Sequence, residues 1–286
     1  MKPQMLSRSD KVARLKKILK NMRSVVLAFS GGLDSTFLLK MARDTLGKDN
    51  VLAVIAMSDT FPKREYECAK KLARKLTANF ITINTKETEN KTFLKNPVNR
   101  CYYCKKELFG RLVSIAEKRS FDFVIDGFNH DDKKDLRYGN IAAKEFGIRS
   151  PLAETHIGKK DIRIFSRQLH LPTWNKPSLA CLASRLPYSH KITKKKLKKI
   201  DRAEEVLYKH GFKQVRVRVH NDIARIELMR SDIKRVLLSQ ELQNDIAKRL
   251  KRLGFSYVTV DLEGYRTGSM NEVLNTQGKG QVRTTR

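Results

Sequence analysis

SVVLAFSGGLDST, running from Ser24 to Thr36, carries an apolar run into a helix through two adjacent glycines. The segment Ser24–Phe29 is short, aliphatic and uninterrupted, the pattern of a strand covered on both faces. Gly31 and Gly32 then let main-chain N–H groups turn toward an anion with no Cβ in the way. A helix opening directly behind them adds unpaired donors and a partial positive charge, which suits a pyrophosphate. Ser30, Gly31, Gly32, Asp34 and Ser35 are the candidate phosphate-binding residues, with Asp34 the candidate Mg²⁺ ligand. A plain Gly-Gly strand-to-helix turn would carry the same residues. The spacing is neither GxxxxGKS nor GxGxxG, which weighs against kinases, P-loop ATPases and dehydrogenases.

Similar runs recur at Val51–Met57, Phe80–Asn84 and Phe121–Asp126, separated by helical patterns such as Phe37–Leu46 and Glu65–Leu76. This alternation predicts an α/β fold, a doubly wound, mostly parallel sheet within a domain spanning residues 1–170. A cysteine-bearing segment, 171–192, follows, and then the pattern changes. A basic amphipathic helix over Thr193–His210, with Thr193 as N-cap, leads into alternating runs at Gln214–Val219 and Ile223–Leu228. A second helix over Ser231–Leu253 and a strand over Tyr257–Asp261 complete a smaller α+β domain, 193–275, before a polar tail at 276–286.

The chain has 60 Lys+Arg against 30 Asp+Glu, a net charge of +30, spread from end to end with a dense run at Lys191–Lys199. Such a field attracts polyanions without specifying one. The basic helix face reads as solvated rather than as an RNA track, so tRNA is the lesser partner beside a small-molecule nucleotide. No apolar stretch is long enough for a spanning helix, and MKPQMLSRSDKVARLKK has no apolar leader core. The expectation is a cytoplasmic protein without membrane attachment.

Cysteines stand at 68, 101, 104 and 181. In a chain of this kind a disulfide framework is not expected. Cys68 sits in an amphipathic helix and reads as structural. NRCYYCKKE holds Cys101 and Cys104 at CxxC spacing, open to an iron–sulfur cluster, a redox or persulfide relay, zinc, or two ordinary cysteines at a helix start. Cys181 lies in WNKPSLACLASRLPY, where Lys176 and Arg185 are cations able to favour a thiolate and Pro177 and Pro187 point to a shaped loop.

SGGLDS after a strand resembles the PP-loop of the ATP pyrophosphatase superfamily, whose members adenylate a substrate and release pyrophosphate. WNKPSLACLASRLPY, the block DGFNHDDKKDLRYGNIAAKEFGIRSPLAE (126–154) and GYRTGSMNE (264–272) resemble the LarE family of ATP-dependent sulfur transferases. The likeness runs from about residue 10 to 275. It implies ATP and Mg²⁺ at the PP-loop and a pyridinium mononucleotide carboxylate as the group adenylated. It implies sulfur arriving through Cys181 in synthesis of a nickel-pincer cofactor, and an oligomer. In members with two further cysteines it implies a [4Fe–4S] cluster, here on Cys101, Cys104 and Cys181, that takes its sulfur from a donor. A tRNA thiolase with the same adenylation and cluster chemistry, or an ammonia-dependent amidoligase of the NAD/GMP synthetase type, are the alternatives.

Other residues join the candidate site. Arg216 and Arg218 project from one face of VRVRV, and two adjacent guanidinium groups favour an anion between them. Glu204 or Glu205 is the candidate acidic partner, and the ACLASR segment adds Ser184 and Arg185 as substrate-binding candidates. Asp131, Asp132 and Asp135 form an acidic patch after the fourth strand, where ligands of parallel sheets bind. Trp174, the only tryptophan, either stacks on a ring or packs.

Overall fold

A computed structural model describes residues 7–134, 138–266 and 268–269. It divides the chain into two compact units, Met1–Leu179 and Ala180–Arg286. The division falls inside the segment 171–192 that the sequence sets apart, so residues 180–192 of that segment group with the C-terminal unit.

The N-terminal unit runs α1 (Arg8–Met22), β1 (Val25–Ala28), α2 (Leu33–Leu46), β2 (Val51–Met57), α3 (Lys63–Lys75), β3 (Asn79–Asn84), α4 (Lys91–Leu94), α5 (Arg100–Lys118), β4 (Phe123–Ile125), α6 (Gly139–Glu145), α7 (Pro151–Glu154) and α8 (Lys159–Gln168). All four strands are parallel, in the order β3-β2-β1-β4. Alternate residues of β1 serve opposite layers. Val25 and Leu27 pack with Leu15 and Leu19 of α1 and Phe37 and Leu38 of α2. Val26 packs with Phe109 and Leu112 of α5 and Ala142 of α6. Two covered faces explain why the strand reads as a continuous apolar run. Because β4 returns to the side of β1 away from β2, the strand order reverses at β1. The carboxyl ends of β1 and β4 therefore flank the position where such sheets bind ligands.

The C-terminal unit contains α9 (Lys194–Lys209), β5 (Val215–His220), β6 (Ile223–Leu228), α10 (Arg230–Leu237), α11 (Gln240–Arg252) and β7 (Tyr257–Val260). Thr193 caps α9 by accepting the Lys196 N–H at 3.2 Å, and Leu197, Ile200, Ala203 and Leu207 are buried. β5 and β6 are antiparallel, and β7 pairs parallel to β6. The single helix expected over Ser231–Leu253 is instead two. Ser239 Oγ accepts the Leu242 N–H at 3.3 Å and starts α11, and this cap breaks the helix although the apolar run Leu237-Leu238 lies exposed beside it. No helix of the described residues is long and apolar enough to cross a membrane.

Candidate functional site

The phosphate loop follows β1. Gly31 has φ +65°, and a Cβ there would lie 2.8 Å from Ala69 Cα on α3, so only glycine fits this close approach. Gly32 is the N-cap of α2 and supplies no side chain, leaving the first-turn donors to an outside acceptor. Ser30 and Ser35 hydroxyls lie 3.1 Å apart, and the Gly32 N–H reaches Ser30 Oγ only at 3.4 Å. Asp34 stands in the first turn of α2. An uncovered helix start beside a carboxylate fits a polyphosphate with its Mg²⁺.

Across from this loop, at the end of β4, Asp126 is buried and accepts from Ser150 Oγ at 2.7 Å and the Phe128 N–H at 3.2 Å. Burial raises its pKa, with the nearby Lys105 ammonium the largest opposing influence. Gly127 lets the two loops meet, since a Cβ there would lie 3.0 Å from Ser35 N. Of the acidic patch, Asp131 accepts the Lys159 N–H at 2.7 Å and covers the start of α8. Asp132 holds Asn129 Nδ2 at 2.9 Å and lies 3.4 Å from Lys159 Nζ. Both thus carry structural duties, and Asp135 lies outside the described residues.

Cys101 and Cys104 occupy the first turns of α5, three residues apart and so on one face. Cys101 is exposed and Cys104 half-buried. A helix start favours anionic sulfur, and two thiolates on one face are suitable donors for a cluster. No group of three or more His, Cys, Asp or Glu is gathered for a metal ion among the described residues. Cys68, read as structural, is exposed on α3. Trp174 has Arg167 above its ring at 5.3 Å.

In the C-terminal unit Cys181 is the N-cap of a 3-10 turn, Leu182–Arg185. Its carbonyl accepts the Ser184 N–H at 3.0 Å, Ser184 Oγ at 2.7 Å and Arg185 Nη1 at 3.1 Å. Arg185 is buried and forms a two-bond fork with Glu204 at 2.8 and 3.1 Å. Burial opposes its charge, but Glu204 outweighs this and the pKa is raised. Glu204 also accepts the Val217 N–H at 3.0 Å, whereas Glu205 pairs with Lys209 on the surface. Glu204 therefore serves Arg185, and the carboxylate that pairs with a strand arginine is instead Glu227, on Arg218. Arg218, 1% exposed, is gripped by Glu227 at 2.9 and 3.0 Å, and it donates to Ser184 O and Ser269 Oγ. Arg216 differs. It is buried, it donates to Tyr265 OH at 2.7 Å and it lies 4.5 Å from that ring's centroid. Burial chiefly lowers its pKa, and the Arg185 and Arg218 charges add to this.

Glu227, Tyr265, Ser269 and Asp126 were not singled out from the sequence. Pairing β5 with β6 across Asn221-Asp222 sets Arg216 opposite Glu227, so the hairpin register was the signal for that residue. Asp126 was signalled only by its place at a strand's carboxyl end.

The NAD synthase family model matches residues 9–101, which include the phosphate loop. A glutamine-dependent NAD(+) synthetase of Aquifex aeolicus is 46% identical over 63 residues, 22% of this chain and 11% of that protein. An uncharacterized protein of Synechocystis is 41% identical over 93% of this chain and 98% of its own. Pyridinium-3,5-bisthiocarboxylic acid mononucleotide synthase of Lactiplantibacillus plantarum is 40% identical over 98% of this chain and 99% of its own length. The chain belongs to the LarE family. The LarE likeness thus extends through the Cys181 turn and the arginine cluster, whereas the NAD synthase match ends at Cys101, before α5 has completed its first turn. The part of this chain that matches the NAD synthase model holds the phosphate loop together with strands β1 to β3.

Proposed function

We propose that this chain is an ATP-dependent sulfur transferase that converts a carboxylate of a pyridinium mononucleotide to a thiocarboxylate for a nickel-pincer cofactor. A carboxylate oxygen attacks the α-phosphorus of ATP·Mg, and the bond to the pyrophosphate oxygen breaks. Cys181 sulfur then attacks the acyl carbon, and AMP leaves with the electron pair. Loss of the Cys181 Cα proton and cleavage of its Cβ–S bond release the thiocarboxylate and leave dehydroalanine. Ser30, Gly31, Gly32 and Ser35 hold the phosphates and Asp34 the Mg²⁺. Arg216 binds the mononucleotide phosphate, with Arg218, Ser184, Arg185 and Glu204 shaping that place. In the other route, in which Cys181 is not consumed, Cys101, Cys104 and Cys181 would hold a [4Fe–4S] cluster, which would supply an iron site for sulfide from a donor, and that sulfide would take the place of the Cys181 sulfur.

The observation that carries this reading is the Cys181 turn, where three hydrogen bonds and a buried arginine–glutamate fork hold one cysteine's main chain. Amide formation has no use for such a cysteine. The name of the Lactiplantibacillus relative supports the product assigned. The amidoligase alternative draws on the NAD synthase match, which is confined to residues 9–101.

Anaerobic incubation of the full chain with ATP, Mg²⁺ and a pyridinium carboxylate mononucleotide tests it. AMP, pyrophosphate and a thiocarboxylate are expected. The intact mass falls by H₂S where Cys181 is sacrificed and stays constant where iron and sulfide copurify. Amide formation on adding ammonia, or sulfur appearing only in tRNA, would overturn the assignment.

A further inference from the structure

Lys176 stands five positions before Cys181 in the run NKPSLAC. Its side chain is nevertheless committed to the phosphate loop. Lys176 Nζ donates to the Gly31 carbonyl at 3.0 Å and lies 2.8 Å from Glu65 Oε2. Glu65 is 7% exposed and stands one turn before Ala69 on α3, the residue against which Gly31 is pressed. The main chain of the lysine is tied down as well. Arg163 on α8 donates to Trp174 O at 2.8 Å and to Lys176 O at 3.1 Å, and the Lys176 N–H reaches Thr173 O at 3.0 Å.

A trans peptide points its C=O and N–H in opposite directions. A bond that fixes the Gly31 carbonyl therefore fixes the Gly32 N–H, which has only the long 3.4 Å contact to Ser30 Oγ within the loop. Gly31 sits at φ +65° with no side chain to restrain it, so its peptide needs an external hold to keep one orientation. A buried carboxylate that fixes an ammonium on this carbonyl provides one.

We infer that Lys176 is a positioning residue for the phosphate site: clamped by Glu65, it orients the Gly31–Gly32 peptide so that the Gly32 N–H faces the pyrophosphate portion of ATP. The inference rests on the adenylating reading above and adds to it a residue that the phosphate-loop motif does not contain. It also gives the two ends of NKPSLAC different duties, the lysine to the phosphate loop and the cysteine to sulfur.

Calorimetric titration of inorganic pyrophosphate with Mg²⁺ into the full chain tests this, with Lys176→Met, Lys176→Arg and Glu65→Gln variants. Lys176→Met is expected to weaken binding about tenfold or more, the scale of one hydrogen bond to a charged group. Glu65→Gln keeps the lysine's charge but loosens the clamp, and it weakens binding in the same direction; Lys176→Arg recovers part of the loss. A lysine acting only as a nearby positive charge would leave Glu65→Gln at wild-type affinity or above, which overturns the positioning role. Should Lys176→Met fail to fold, the Glu65→Gln result decides alone. Wild-type protein that binds neither pyrophosphate nor ATP would instead remove the adenylating reading, whereas wild-type binding with all variants unchanged removes only the role of Lys176.

Discussion

In the N-terminal unit the candidate anion site is made of main chain: two glycines, an uncapped helix start and a carbonyl held by a lysine. In the C-terminal unit it is made of side chains: three arginines that burial would expel were two of them not forked onto glutamates. Main-chain donors cost nothing extra to place once the strand and helix exist, because the fold has already aligned them. Guanidinium groups must each be desolvated and held, so the C-terminal site consumes Glu204 and Glu227 before any ligand arrives. The loop depends on backbone geometry, the cluster on charge pairing, and they should break under different substitutions.

The largest effect is expected in the arginine cluster. Glu227→Ala leaves Arg218 buried without its fork, and the loss is about 3–5 kcal/mol of stability, the scale for removing one partner of a buried pair. Chemical denaturation followed in both variants checks this. Replacing the pair together, Arg218→Met with Glu227→Leu, should recover much of the loss; a double variant as unstable as the single one would mean that the pair is not the cause.

In the phosphate loop the expected cost is smaller and of another kind. Gly31→Ala forces a Cβ to 2.8 Å from Ala69 Cα at φ +65°, and about 1–3 kcal/mol of strain is expected. Nucleotide affinity should fall further than stability does, because the loop must move to relieve the clash. Equal nucleotide titrations for variant and wild type would show that the close packing on α3 does not set the loop's function.

The sequence carried these two regions unequally. The parallel sheet was legible because both faces of β1 are covered, which turns Ser24–Phe29 into an unbroken apolar run, and Gly31-Gly32 follows where such a strand must turn. The break in the second C-terminal helix was not, since Leu237 and Leu238 continue its periodicity and the interruption comes from one hydroxyl, Ser239. Arg216 and Arg218 were visible as a pair on one strand face. Their difference was not, because Arg218's partner Glu227 arrives from another strand and Arg216's partner Tyr265 from beyond β7. The sequence offers Lys176 as a cation near Cys181, whereas its ammonium is engaged with Glu65, a residue 111 positions away that no local motif links to it.

A pH measurement tests charge pairing within the N-terminal unit itself, where Asp126 and Glu154 both lie. Asp126 has its pKa raised by burial, so the folded chain holds that proton more tightly than the unfolded one. Its contribution to stability is present below the raised pKa and declines as pH rises from the ordinary aspartate range through it. Asp126→Asn keeps an acceptor for Ser150 and removes the titration, and the stability profile across that window should flatten. An unchanged slope would place the ionisation elsewhere. Glu154 runs the other way. The hydrogen bonds from Arg149 hold its carboxyl below the usual range, so its stabilisation is lost as pH falls through the lowered pKa.

The smallest change in stability is expected at Arg216, and there it is the informative result. This guanidinium has a phenol rather than a carboxylate as partner, and the charges of Arg185 and Arg218 oppose it. Arg216→Met removes one hydrogen bond and a cation–π contact but also relieves a desolvated charge among like charges, and the two nearly cancel, within about 1 kcal/mol. If that small change is measured, the proposed mononucleotide phosphate is the negative charge that would account for a buried guanidinium beside two paired ones. Titration of a pyridinium mononucleotide should then show affinity reduced about tenfold or more in Arg216→Met, with the salt dependence of binding reduced as well. Loss of stability as large as that of Glu227→Ala, with affinity retained, would make Arg216 a structural member of the cluster and erase the distinction between it and Arg218.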